Sequence, residues 1–357
     1  MTALAARPLG YRVHVLDPDP ACAASPVVER VIAAPFDDAA AFAELARSVD
    51  VVTLEIEKLG LPALRAAAEI APVRPSPDAL RTVQDRLRQK RWLVEKGFPV
   101  GPYREAFDED SFAGALRAFG GRVFAKSNFG GYDGRGQARL EGHAEAEKAW
   151  KTLGEAPCVV EEALDLAAEL SVLVARGPQG ETAVYPAARN HHERQVLAWS
   201  CLPGDFAPAL EREARNLAQS VAHALGVVGL LCVEMFHTRD GRLLVNELAP
   251  RPHNSFHASA AACITGQFEQ LVRAVCGLPL GATDVIRPAA IVNLLGDAWA
   301  KEGGPAFERA LAVPGVTFTL YGKGDPRPGR KMGHLTAFGA TPHEARARAL
   351  EAFARLA

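Results

Sequence analysis

Apolar positions along this chain change rhythm several times, and the changes divide it into regions. Thr2 to Leu9 carries the spacing of a short helix and closes at Gly10. Tyr11 to Leu16 is a short apolar run ended by Asp17-Pro18, and Val27 to Ile32 and Val51 to Leu54 are two more. A helical stretch, Asp38 to Arg47, separates the last two. Strands alternating with helices predict a parallel βα sheet. A doubly wound unit should open on a strand and a glycine-rich turn. This chain opens on a helix, so its N-terminus is expected to be truncated, with the first strand missing.

Ser76-Pro77-Asp78 is a helix start, with proline at the first helical position and acid in the first turn. The helix is predicted to run to about Lys96 and stop at Gly97. It carries Arg86 and Lys90 one turn apart, a spacing that ordinarily marks a solvated basic face and alternatively a phosphate contact. From Phe98 to about Pro186 short strands dominate. Val123 to Ala125 leads into Lys126, Cys158 to Val160 into Glu161-Glu162, and Glu169 opens Leu170 to Ala175. This reads as a small α+β domain. Helices follow over Ala207 to Leu225 and about His257 to Val275. The tail has strands near Ala290 to Leu295 and Thr317 to Tyr321, and ends in a helix, Pro342 to Leu356.

Two apolar runs, Leu230 to Phe236 and Leu243 to Val245, flank Asp240-Gly241, a type I′ hairpin signal. Counting outwards from a two-residue loop puts Arg239 opposite Arg242, Phe236 opposite Val245 and Glu234 opposite Glu247. Two carboxylates about 5 Å apart repel by roughly 3 kcal/mol at an effective dielectric of about 20. Positive charge is therefore expected between them, and hard oxygen ligands suit Mg²⁺. Asn246 adds a carbonyl. Arg251, His253 and Asn254 crowd donors onto a loop held by Pro250 and Pro252. A one-residue slip would instead turn one glutamate to solvent.

A length of 357 residues suits two or three domains, and a net charge of −2 gives no reason to invoke nucleic acid or membrane. The six cysteines form no C-x-x-C pair and read as buried thiols of a reducing cytosol. The longest apolar run, Ala224 to Val233, is too short to span a bilayer. MTALAARPLG lacks the apolar core of a signal peptide, so a cytoplasmic location is expected.

Lys126 to Gln137, KSNFGGYDGRGQ, is rich in glycines that let backbone N–H groups approach phosphate oxygens. It is not a P-loop, and a plain surface hairpin is the bland alternative. Glu161-Glu162-Ala163-Leu164 could meet an adenine edge through its backbone, and Glu169 could accept from ribose hydroxyls. The basic loop Gly322 to His334, with Lys323, Arg327, Arg330 and Lys331, suggests a bound anion such as a sugar phosphate. His191-His192 and His253/His257 have no thiol or further carboxylate at zinc spacing.

Taken together, GGYDGRGQ, NELAPRPHNS, QFEQ (Gln267 to Gln270) and RPGRKMGH resemble the ATP-grasp superfamily, and within it the 5-(carboxyamino)imidazole ribonucleotide synthase family of purine biosynthesis. The resemblance implies α/β and α+β architecture in three parts. These are a truncated Rossmann-like domain over 1–80, an ATP-grasp domain over 81–283 with its lid at about 98–186, and a β-rich small domain over 284–357. It implies ATP contacts from Arg86, Lys126, Gly131, Tyr132, Asp133, Gly134, Arg135, Gly136, Gln137, Glu161, Glu162, Ala163, Leu164, Glu169, His192, Asn246 and Glu247. Mg²⁺ would lie on Glu234 and Glu247. Arg251, His253 and Asn254 would hold bicarbonate or carboxyphosphate, with Lys126 assisting. Tyr132, Asp133, Lys323, Arg330, Lys331 and Glu55 would hold aminoimidazole ribonucleotide. The implied enzyme is a cytoplasmic homodimer that carboxylates the ribonucleotide amine through carboxyphosphate.

The chain departs from the family pattern in three places. The opening GGGQLG-like loop is missing. Ser127-Asn128-Phe129 stands where basic residues are usual, and Phe256-His257-Ala258 where Gly-His-Trp is usual. Two other readings stay open. One is a formate-dependent glycinamide ribonucleotide formyltransferase, which typically has Asp at the position of Asn254. The other is a nucleotide-binding module inactive for want of the loop.

Overall fold

The computed structural model describes residues 1–130, 136–300 and 304–356. Near the N-terminus β1 (His14–Asp17) and β2 (Arg30–Ala33) pair in parallel, and Val52 bridges Val73, also in parallel. The predicted strand over Val51 to Leu54 is thus a single bridge. Helices Ala39–Arg47 and Leu61–Ala68 pack with these strands around Leu16, Ile32, Phe42 and Leu64.

A four-stranded antiparallel sheet follows, in the order β3 (Tyr103–Ala106), β6 (Cys158–Glu162), β4 (Arg122–Ser127), β5 (Gln137–Glu141). Its helices pack Phe112, Leu116 and Trp150 against Val123, Ala125 and Val160. The next strands leave this small sheet. β7 (Leu166–Arg176), β8 (Thr182–Val184), β9 (Ala188–Glu193), β10 (Val196–Leu202), β11 (Gly229–Thr238) and β12 (Leu243–Ala249) enter a nine-stranded sheet. The tail strands β13 (Ala289–Leu295), β14 (Val316–Leu320) and β15 (Lys331–Phe338) extend that same sheet through the β10–β13 pairing.

Strands β7 and β11 are covered on both faces, which is why they read as continuous apolar runs. Val172, Val174, Leu231 and Val233 pack on the helix Pro208–Leu225. Leu173, Ala175, Leu230 and Cys232 pack on the helix Gln267–Cys276 and on Phe256. This second face turns polar at its end, where β7 carries Ser171 and β11 carries Glu234, paired directly with each other.

Two predicted helices are broken. The one expected over Ser76 to Lys96 is Pro77–Gln84 and Arg86–Glu95, because extended Asp85 caps a new helix by accepting from Arg88 N–H at 2.9 Å. The one expected over His257 to Val275 is Ser259–Ala262 and Gln267–Cys276. At Gly266 an added Cβ would lie 2.7 Å from Ala260 Cα, so the second piece starts at a close backbone approach. Among the described residues no helix is long and apolar enough to cross a membrane.

Candidate active site

The hairpin β11–β12 carries the site, but not through the predicted turn. The loop is Arg239-Asp240-Gly241, three residues, with Gly241 at φ 89° and Thr238 pairing with Arg242. Gly241 N–H closes it on the Thr238 carbonyl at 3.0 Å. Phe236 therefore faces Leu244, and Val245 faces Met235. A bulge then absorbs one residue of β12, at Asn246, and restores the count, so Glu234 faces Glu247. The bulge also brings Asn246 into the site beside Glu247.

Each carboxylate has a cation. Arg86 donates to Glu247 Oε2 at 2.9 Å, and His253 Nε2 lies 3.0 Å from Glu234 Oε1. Burial works against the charged forms of the latter pair. Their contact prevails, helped at His253 by the Cys232 sulfur. Glu234 is held below the usual carboxylate range and His253 raised above the usual imidazole range. On the neighbouring strands Glu169 and His192 pair at 2.6 Å.

Facing this hairpin from the small sheet is a buried charge cluster. Glu161 on β6 takes Lys90 at 2.6 Å and Lys126, which pairs with its other oxygen. Burial alone would raise the Glu161 carboxyl, but the two ammonium groups hold it far below the usual range. Lys90 is pushed down by burial and by Lys126, against the pull of Glu161. Both lysines also reach the bulge. Lys126 donates to Asn246 Oδ1 and Lys90 to the Asn246 carbonyl, each at 3.1 Å. A cavity of about 10 Å³ lies among these groups, Arg86 and Gln89, room for one water. The basic pair Arg86/Lys90 is thus inside the site rather than on a solvated face.

Arg251 pairs with Glu57 of the N-terminal region at 3.0 Å. Both amide atoms of Asn254 are buried and meet no hydrogen-bonding partner among the described residues. Such a group calls for a bound water or ligand. Gln137 begins β5, and the carbonyl of Gly136 just before it accepts from Ser127 N–H at 2.8 Å. Gly131, Tyr132, Asp133, Gly134 and Arg135 lie outside the described residues. Glu162 and Ala163 spend their backbone N–H groups on the Pro102 and Arg122 carbonyls, while the Leu164 side chain abuts Gly101. Glu55 is exposed and accepts from Thr2 N–H at 3.2 Å. In the tail, Lys323 donates to the Lys331 carbonyl at 3.2 Å and Arg330 to those of Gly324 and Asp325.

Three family models together match most of the chain. They are the ribonucleotide synthetase preATP-grasp domain over residues 1–84, the ATP-grasp domain over 91–268, and the phosphoribosylaminoimidazole carboxylase C-terminal domain over 289–348. N5-carboxyaminoimidazole ribonucleotide synthase of Brucella melitensis is 41% identical across 94% of this chain and 92% of its own length. The chain belongs to the N5-carboxyaminoimidazole ribonucleotide synthase family. The Bacillus subtilis synthase is 38% identical over 94% of this chain and 87% of its own. An ADP complex of N5-carboxyaminoimidazole ribonucleotide synthetase superposes with a TM-score of 0.93 at 36% identity, covering 99% of this chain and 92% of that one. The Aspergillus clavatus synthase, in complex with ADP and 5-aminoimidazole ribonucleotide, gives 0.91 at 29% identity, over 100% and 95%.

Against that synthase background, the site includes groups that sequence reasoning passed over. Glu57 sits two residues from Glu55, and only the fold brings it to Arg251. Gln267 accepts from His253 N–H at 2.9 Å and donates to the His253 carbonyl at 3.1 Å. It also lies 3.1 Å from His257 Nδ1. His257 stacks on His334 at 4.6 Å, and Tyr321 O–H meets His334 Nδ1 at 2.9 Å. This column links the loop after β12 to the basic tail loop. The departure at Asn128 has a structural role: its Oδ1 accepts from Leu87 N–H at 2.9 Å and its carbonyl from Arg86 N–H at 3.1 Å. The lid loop is thereby tied to the start of the helix that carries Arg86.

Proposed function

We propose that this chain carboxylates the amine of 5-aminoimidazole ribonucleotide at the expense of ATP, with bicarbonate as carbon source. The observation that carries this reading is the union of a paired carboxylate hairpin with a buried Lys–Glu–Lys cluster on one ATP-grasp scaffold. A bicarbonate oxygen attacks the γ-phosphorus and the bond to ADP breaks, giving carboxyphosphate. The ribonucleotide amine then takes the carbonyl carbon, directly or as released CO₂. Phosphate leaves and the amine loses its proton.

Phosphoryl transfer asks mainly for positioning and charge neutralisation. Lys126 and Arg86 meet the nucleotide phosphates. Arg251, His253 and Asn254 hold bicarbonate, and the unpartnered amide of Asn254 supports that assignment. Gly136, Gln137, the segment Glu161 to Leu164, Glu169 and His192 frame the nucleotide. Glu55, Lys323, Arg330 and Lys331 take the ribonucleotide. The lid closes over the site and excludes water from an easily hydrolysed intermediate.

The donor set fits Mg²⁺. Glu234 and Glu247 offer hard oxygens on one face, and each is answered by a cation. Among the described residues no group of three or more acidic, histidine or cysteine side chains gathers to hold a metal. Two carboxylates with water and phosphate completing the shell is the usual Mg²⁺ arrangement. Bound there, the ion would screen charge on the transferring phosphoryl group. The same reading carries a cytoplasmic homodimer with small-molecule substrates and no nucleic-acid or membrane partner.

ADP release with Mg²⁺-ATP tests this directly. The reading expects release that needs both bicarbonate and aminoimidazole ribonucleotide. Release supported instead by formate and glycinamide ribonucleotide, or none with either pair, would reject it.

A further inference from the structure

Beneath His253 lies a buried polar network with no part in the steps above. Ser171, Ser200 and Ser255 have no exposed surface, and Asn190 is almost fully buried. They adjoin the layer that holds Leu173, Leu230, Cys232 and Phe256, where apolar side chains of the same shape would serve packing as well. Their hydrogen bonds form one line. His253 Nδ1 lies 2.8 Å from Ser255 Oγ, and Ser255 Oγ lies 2.8 Å from Ser171 Oγ. Asn190 Nδ2 donates to Ser171 Oγ at 3.0 Å, and Ser200 Oγ donates to Asn190 Oδ1 at 2.9 Å. Ser200 Oγ is also 3.0 Å from the Ser255 carbonyl.

Placing the hydrogens shows what such a line does. With a neutral ring, Ser200 gives its hydrogen to Asn190, Asn190 to Ser171, Ser171 to Ser255 and Ser255 to Nδ1. The ring hydrogen then sits on Nε2. With a charged ring the line reverses. Nδ1 donates to Ser255, Ser255 to Ser171, and Ser171 to an Asn190 amide turned by half a rotation. Asn190 then donates to Ser200, which ends the line on the Ser255 carbonyl. Each hydroxyl along the line finds an acceptor in both cases. In both cases the Nε2 hydrogen faces Glu234 Oε1, 3.0 Å away.

We propose that Ser255, Ser171, Asn190 and Ser200 are positioning residues that hold the His253 ring with its Nε2–H aimed at Glu234. That His253 serves bicarbonate rests on the function proposed above; its anchoring does not. Removing one link loosens the hold on Nδ1 and lets the ring turn away from Glu234. ATP binding, which uses Lys126 and Arg86, should not change.

The test is Ser171→Ala in protein labelled with ¹⁵N-histidine, with His253 assigned by its loss in His253→Gln. In the wild type the imidazole ¹⁵N–¹H spectrum should place a hydrogen on Nε2 of His253. In Ser171→Ala that hydrogen should lose the downfield shift that its contact with Glu234 gives it. The kcat should fall about tenfold, as for other groups that orient a reacting side chain, and the KM for ATP should be unchanged. A wild-type ring lacking hydrogen on Nε2 overturns the proposal. So does a Ser171→Ala protein with a wild-type ring spectrum, whatever its kcat. If Ser171→Ala does not fold, Ser200→Ala at the far end of the line carries the same test. A wild type that releases no ADP rejects the functional reading, while the ring spectrum still decides the anchoring.

Discussion

Neutralising Glu161 should destabilise the protein more than any other single carboxylate change in the site. The residue is buried with Lys90 2.6 Å from one oxygen and Lys126 on the other. At about 3 Å and an effective dielectric of about 20, each pair attracts by about 5 kcal/mol. Desolvation offsets much of this while the pairs are intact. In Glu161→Gln the two ammonium groups keep their desolvation and lose their partner, a loss of about 3–5 kcal/mol. At about 2 °C per kcal/mol for a chain of this size, the melting temperature should fall by at least about 6 °C. The carboxyl is held below its ordinary value, so its stabilisation is present above that value and lost as pH falls through the lowered one. On the acid side the gap between variant and wild type should therefore persist through the ordinary carboxylate range and close only in strong acid. Mg²⁺-ATP should narrow it, because phosphate oxygens would restore the negative charge facing Lys126. Thermal melts followed by circular dichroism read all three effects. A variant that melts within about 1 °C of wild type would refute the reasoning, since the lysines would not then depend on Glu161.

Three further expectations follow from the same geometry. Glu247→Gln should abolish ADP release while leaving the circular dichroism spectrum intact, and unchanged release would count against the proposed metal ligand. Arg330→Ala should raise the KM for the ribonucleotide at least about tenfold by removing a charge-assisted contact, with kcat near wild type; an unaltered KM would take Arg330 out of the site. Burial pushes His334 down to about 4 from an ordinary 6.5, so the folded state resists a proton that the unfolded state accepts. Stability should then fall with pH below 6.5, by about 2 kcal/mol at pH 5, and His334→Gln should flatten that slope in urea titrations. An equal slope in the variant would assign the acid sensitivity elsewhere.

Much of the site was legible because a turn dipeptide sets a register. Asp240-Gly241 places Glu234 opposite Glu247, although the loop has three residues and not two. A bulge at Asn246 compensates, and nothing local in the sequence announces a bulge. Lys90 was not legible, because its helical spacing is equally that of a solvated face. Only the approach of β6 and the bulged strand makes it a buried partner of Glu161. The helix breaks at Asp85 and Gly266 were signalled by residue type but overridden in the reading by apolar spacing on either side. Arg251–Glu57 and His257–His334 join segments far apart in the chain, which no periodicity can bring together. Ser171 left a usable trace: a hydroxyl inside the apolar run Leu170 to Ala175 needs a partner, and Ser255 is that partner.

The reaction's central claim is that a bicarbonate oxygen becomes bonded to the γ-phosphorus. Turnover with ¹⁸O-labelled bicarbonate, read by the isotope shift in the ³¹P spectrum of the released phosphate, measures this without reference to any one residue. The account predicts one labelled oxygen per phosphate formed. Unlabelled phosphate, its fourth oxygen taken from solvent, released at the same rate as the carboxylated product, would contradict it.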